Sequence, residues 1–196
     1  SIHIPIILTV SLPLFLGWMY PNIFTPVHVI FLELIMGPTC SIVYENEPIE
    51  KDTMQRKPRK MTETFLNWKE LGISIIQGLL ITTGVLFAYQ FAVQKGSNEE
   101  TTRAMVFTTL IIANVLLSHT NRSFTYSMLD SFKNRNKLFP MITGVTLVLL
   151  FAILYIPLFA GFFQVTGLNI PELGTAFLIA AVSVLWFEVY KWIKRR

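Results

Sequence analysis

Charge is what this 196-residue sequence has least of: Asp, Glu, Lys and Arg make up 14% of it, against about 25% in ordinary soluble domains. Too few charged side chains exist to cover a water-facing surface, which excludes a soluble enzyme. Disorder is excluded too, because 53% of the residues are hydrophobic and disordered chains are poor in them. A single cysteine, Cys40, cannot close an internal disulfide; it rules out a disulfide scaffold and leaves the redox compartment open. There is no glycine-rich phosphate loop, no Cys/His metal cluster and no nucleophile elbow, so the usual soluble-enzyme motifs are missing. Internal repeats, low-complexity tracts and the inverted symmetry of many transporters are missing as well. The opening SIHIPIILTV has no initiator Met, basic n-region or small-residue cleavage site. It already lies within an apolar run, and residues 1–20 are expected to be the exit half of a longer helix in a larger protein.

What the sequence does have is long apolar windows. Mean hydropathy is +0.54 and aromatic residues reach 13%. Six windows approach the roughly 20 residues that cross a bilayer: 1–20, 26–45, 68–93, 103–119, 138–161 and 173–193. The expected fold class is an all-α membrane protein, a bundle of six transmembrane helices. Connectors alternate in charge. Residues 46–67 carry Lys51, Arg56, Lys57, Arg59 and Lys60; residues 120–137 carry Arg122, Lys133, Arg135 and Lys137; the tail carries Lys191, Lys194, Arg195 and Arg196. The opposite connectors have no Lys or Arg, apart from Lys95 and Arg103 set against Glu99 and Glu100. The positive-inside bias predicts an integral membrane protein with both termini in the cytoplasm. It also accounts for the net charge of +4 as headgroup contacts with membrane lipid, not nucleic acid. Trp18, Tyr20, Trp68, Tyr155, Trp186, Tyr190 and Trp192 fall mostly near span ends, where amphipathic rings favour the interface.

Ionisable or helix-breaking residues at membrane depth then carry the functional information. Glu33 lies inside the second window between Phe31, Leu32, Leu34 and Ile35. A lone carboxylate there costs at least about 2.5–3.5 kcal/mol, so it must meet protein, water or a cation. Four residues on, Gly37-Pro38 predicts a loosened turn, because Pro38 supplies no amide to the Leu34 carbonyl. A carboxylate one turn from freed carbonyls suits a hard cation. Asn114, His3 and, more weakly, Gln77 are the other polar groups at depth, each individually suited to interhelical hydrogen bonding. Glu188 is expected to pair with Lys191 nearby.

The stretch TPVHVIFLELIMGPTCSIVYENEPIEKDTMQRKPR resembles the sixth membrane helix and following cytoplasmic loop of P-type cation-transporting ATPases, in the calcium-pump-like, bacterial type. It includes the Met-x-Arg-x-Pro-Arg signature at Met54, Arg56, Pro58 and Arg59. The later windows fit helices seven to ten in order and length, with AMVFTTLIIANVLLSHTNRS as the eighth, so the resemblance covers residues 1–196. It implies a C-terminal, cation-transporting membrane domain resembling helices five to ten, located in a bacterial plasma membrane. By position Glu33 resembles a sixth-helix cation ligand, the metal ligand of this chain. Asn114 falls at an eighth-helix ligand position and His3 near a fifth-helix one. Gly37 and Pro38 would form the unwound helix. The loop holding Met54, Arg56, Pro58 and Arg59 would couple to the phosphorylation domain.

The resemblance also implies partners that this sequence does not contain. These are the first four membrane helices and the phosphorylation, nucleotide-binding and actuator domains, with ATP and Mg²⁺ serving the parent protein. The DKTGT motif does not occur, so no residue here is expected to hydrolyse ATP, and no cofactor is expected beyond the transported cation. Gly37 stands where calcium pumps usually carry an Asp, Ile6 where they carry a Glu, and Met36 where they carry a hydroxyl. The cation could be calcium, another divalent metal, a monovalent ion or a proton. Two alternatives stay open: a stand-alone ion-binding or channel-like module derived from such a pump, and a structural anchor whose Glu33 is satisfied by Asn114 or a hydroxyl.

Overall fold

The computed structural model describes residues 2–46, 68–122, 136 and 138–195. Among these, every regular element is an α-helix. In chain order they are α1 (His3–Phe15), α2 (Pro26–Glu45), α3 (Trp68–Gln94), α4 (Glu99–Thr120), α5 (Leu138–Tyr155), α6 (Pro157–Phe163) and α7 (Ile170–Arg195).

Local chemistry sets the boundaries. α1 stops at Gly17, which takes a left-handed φ of 60° and lets the Trp18 amide bond back to the Pro13 carbonyl at 3.0 Å, a glycine-type helix stop. α2 begins with Pro26 in its first turn after an extended Thr25, where the ring fixes a helical φ without wasting a donor. Its third residue, His28, takes the place of the Glu or Gln of a capping box: the Thr25 amide donates to His28 Nδ1 at 3.3 Å. α4 is capped by Asn98, whose side chain accepts from the Thr101 amide at 2.9 Å. Pro157 divides the fifth apolar window. It forces Ile156 into an extended conformation, φ −89° and ψ 117°, as a residue preceding proline tends to be.

Four of these helices are long and apolar enough to cross a membrane: Glu70–Gln94, Glu99–Thr120, Leu138–Tyr155 and Ile170–Ile193. The expectation of six spans is therefore too fine for the described residues. α1 has 13 residues, and the apolar part of α2 counted with them is Pro26–Ile35. The third, fourth and sixth windows correspond to α3, α4 and α7, whereas the fifth becomes α5 and α6.

α4 is the axis of the bundle. Fifteen of its residues, from Thr102 to Thr120, are buried, which leaves it almost no lipid-facing side. α7 and α3 pack on it and on each other; α1 leans on α3, and α2 reaches α4 and α5. Small residues permit a close crossing of α3 and α7. A Cβ at Gly84 of α3 would sit 1.9 Å from the Ser183 hydroxyl of α7.

Candidate functional site

α2 has two unlike faces. His28 and Leu32, one turn apart, are fully buried, whereas Ile30, Glu33, Leu34 and Gly37 are exposed. This follows from the 3.6-residue period: 28 and 32 share a stripe toward α4, and 33 and 37 share the next one outward. Glu33 is thus held on an outer flank formed by α1 and α2. Its Oε1 lies 3.0 Å from His3 Nδ1 on α1. The two side chains retain 46% and 63% of their exposure, so each has room for a further partner. A Cβ at Gly37 would meet nothing within 4 Å, leaving open space one turn from the carboxylate.

The predicted site residues are only partly gathered. His3 and Glu33 meet. Asn114 does not join them: it is completely buried in α4, and neither its amide nitrogen nor its oxygen has a hydrogen-bond partner among the described residues. The idea that Asn114 satisfies Glu33 is corrected, since the partner of Glu33 is His3 and the burial of Asn114 puts it in the core instead. The expected unwound turn is corrected as well. α2 continues as helix through Gly37 and Pro38, because a proline can leave the turns on either side helical. The Leu34 carbonyl still loses its amide donor, as proline has none. Met54, Arg56, Pro58 and Arg59 lie outside the described residues.

Two further buried polar oxygens lie on α1 and α4. The hydroxyls of Thr9 on α1 and Thr108 on α4 are buried without a hydrogen-bond partner among the described residues. Sequence reasoning missed them because a threonine in an apolar helix ordinarily bonds back to its own backbone, as Thr82 does to Gly78. Among the described residues, no three His, Cys, Asp or Glu side chains converge. A cation held at the His3–Glu33 flank would meet one carboxylate and otherwise neutral oxygens, which is hard-cation chemistry.

Two cations that read as ordinary connector and tail charges are in fact enclosed. Arg103, 4% exposed, donates from Nε to the Ile23 carbonyl at 2.8 Å. It also donates from Nη1 to the Gln164 carbonyl at 2.8 Å and from Nη2 to Asn22 and to the Glu99 carboxylate. It clips the α1–α2 connector, α4 and the end of α6 into one piece. Directly beneath lies an aromatic knot in which the His28 ring stacks on Phe24 at 5.4 Å and meets the edges of Phe107 and Phe163 at 5.0 and 5.3 Å. At the other end of α4, Lys191 of α7 donates to the Thr120 carbonyl at 2.9 Å and pairs with Glu188, the pairing expected for that glutamate. Gln77 and Asn121 exchange amide hydrogen bonds of 2.9 and 3.2 Å beside it. The sequence signal for Arg103 was Glu99 four residues earlier, a helix-spaced opposite charge.

Residues 21–193 match the family described as "Cation transporting ATPase, C-terminus". Among curated proteins, the calcium-transporting ATPase 1 of Lactococcus lactis is 28% identical over 190 residues, covering 96% of this chain and 21% of the relative. A calcium-transporting ATPase of Listeria monocytogenes is 26% identical over 193 residues, 97% of this chain and 21% of the relative. The calcium-transporting ATPase 1 of the yeast Yarrowia lipolytica is 22% identical over 165 residues, 84% of this chain and 18% of the relative. The chain spans about a fifth of the length of these curated relatives.

Proposed function

The chain belongs to the family of cation-transporting ATPase C-termini, and on that basis we propose that it forms the membrane-embedded, cation-translocating portion of an ATP-driven P-type pump. Calcium is the first cation to test, because it is in the names of the relatives. The observation that carries the reading is the His3–Glu33 flank. A carboxylate with 46% of its side chain exposed between Ile30 and Leu34 cannot face hydrocarbon without costing several kcal/mol. It is accommodated if that flank is a water- and cation-accessible cleft closed by the rest of the pump.

In this mechanism Glu33 supplies the formal charge that attracts the cation, and His3 holds the carboxylate in place between arrivals. Asn114, Thr9 and the Leu34 carbonyl are the neutral oxygens within the same three helices, and the open space at Gly37 gives the ion room beside the carboxylate. The positive connectors at 46–67 and 120–137 support a topology with both termini in the cytoplasm. The segment with Met54, Arg56, Pro58 and Arg59 receives the movement of the ATP-driven domains, whose ATP and Mg²⁺ chemistry belongs to the parent protein. Residues 1–196 then act as one transport domain.

The test is cation-stimulated ATPase activity of the full-length protein across calcium, manganese, magnesium, sodium, potassium and protons, wild type beside Glu33→Gln. Stimulation by one cation in the wild type, reduced at least about tenfold in the neutral variant as a lost charge–cation contact of 1.4 kcal/mol or more would require, is the expected result. Equal stimulation of both proteins would make Glu33 structural, a clasp between α1 and α2.

A further inference from the structure

His28 stands in the first turn of α2, a turn and a residue ahead of Glu33, and the transport mechanism gives it no part. Its ring is completely buried. It stacks on Phe24 and lies nearly perpendicular to Phe107 of α4 and Phe163 of α6. Phe31, one turn further along α2, touches the same two rings. The helix that carries Glu33 is joined to α4 and α6 at this knot. An apolar ring would fill the same space without the cost of burying two nitrogens.

The nitrogens account for the imidazole. Nδ1 is the acceptor that closes the start of α2: the Thr25 amide donates to it at 3.3 Å, and Thr25 Oγ1 lies 2.8 Å away. An amide can only donate, so Nδ1 keeps a bare lone pair and the ring proton sits on Nε2. Nε2 is enclosed, with no hydrogen-bond partner among the described residues. The arrangement therefore exists only while the ring is neutral. A second proton would go to Nδ1, meet the Thr25 N–H head-on and leave a charge inside the knot. Arg103 of α4 is the charged group that acts on this position, and it repels an imidazolium; Glu99 is engaged with Arg103 itself. The other packed elements bring Phe163 from α6 and Phe24 from the connector, while Tyr20 of that connector is bonded to the Ser97 carbonyl.

We infer that His28 is a positioning residue: its neutral imidazole latches the start of α2 to α4 and α6, and a proton arriving at the connector end of the bundle unlatches it. The helix released is the one that carries Glu33. If that carboxylate holds the cation, as proposed above, acid at this end loosens the hold of α2 on it; the latch itself does not depend on that reading. Because the closed ring is shut off from water, the proton enters only when the latch opens. An open imidazole titrates near pH 6.5, so the opening equilibrium should be flat well above that pH and rise by up to about tenfold per unit below it.

Amide hydrogen exchange of the full-length protein, read over residues 22–32 and corrected for the intrinsic pH dependence of exchange, tests this with no cation added. Wild type should lose about tenfold in protection between pH 7.5 and pH 5.5. His28→Gln still offers an acceptor to the Thr25 amide, since glutamine is an ordinary third residue of a capping box, but it takes up no proton. Its protection should be the same at both pH values. Should that variant not fold, His28→Phe keeps a ring in the knot without the acceptor; its protection should be lower than that of wild type at pH 7.5 and independent of pH. Constant protection in the wild type would overturn the latch. So would an undiminished fall in folded His28→Gln, which would assign the response to Glu99 and Arg103.

Discussion

The end of the bundle around Arg103 and the flank around Glu33 each hold an ionisable side chain, and they hold it in opposite ways. Arg103 is 4% exposed and meets three backbone carbonyls and a carboxylate drawn from three elements. Glu33 is 46% exposed and has the His3 imidazole beside it. A buried guanidinium is tolerated only when its donors are occupied, so the first arrangement is a fixed joint. The second leaves coordination capacity free, as a site that must take up and release an ion requires. A charge in a membrane helix therefore says little by itself; the completeness of its surroundings separates scaffold from site.

That contrast can be broken first at the joint. Arg103→Ala leaves buried carbonyls without donors and the Glu99 carboxylate unpaired. Each buried carbonyl left without a donor costs about 1–3 kcal/mol, so the loss should be read as the largest fall in thermal midpoint of any variant named here. A midpoint close to wild type would mean that the clip is not fixed. Next comes the α3–α7 crossing on which the core rests. Gly84→Val puts methyl groups where a Cβ alone would stand 1.9 Å from the Ser183 hydroxyl, and it should cost about 1–3 kcal/mol in a chemical denaturation series.

Smaller effects sharpen the comparison. Asn98→Ala removes the side-chain cap of α4 and should cost about 1 kcal/mol, with Asn98→Asp restoring most of it. On the open flank, His3→Ala removes an exposed pair worth about 0–1 kcal/mol. Stability should barely change, while the cation concentration for half-maximal ATPase stimulation of the full-length protein shifts. A stability loss there as large as at Arg103 would abolish the distinction between joint and site.

Much of the fold was legible because membrane helices announce themselves by length and hydropathy. α3 and α7 begin and end within a few residues of their windows. α4 begins at Glu99 and not at 103 because the Asn98 cap, a local polar signal, admits an extra charged turn that hydropathy alone excludes. The fifth window concealed a break at Pro157, a residue plainly visible whose effect depends on how Ile156 is oriented. At the site, Glu33 stood out as a carboxylate in an apolar run, but its partner could not be read, since His3 is 30 positions away. Arg103 was legible only as a connector charge near Glu99. Its enclosure depends on carbonyls 61 to 81 positions distant, and every residue has a carbonyl, so no side-chain pattern encodes that choice.

The bond from Lys191 to the Thr120 carbonyl joins positions 71 apart, and it has a bearing on assembly. During synthesis α4 enters the bilayer long before α7 exists, so its final carbonyl meets this ammonium only after α7 is threaded. The bond that ties the end of the central helix to α7 is thus made late. A chain cut ahead of Lys191 would leave the Thr120 carbonyl without this donor, so the fault would show at the end of α4, 71 positions before the cut residue.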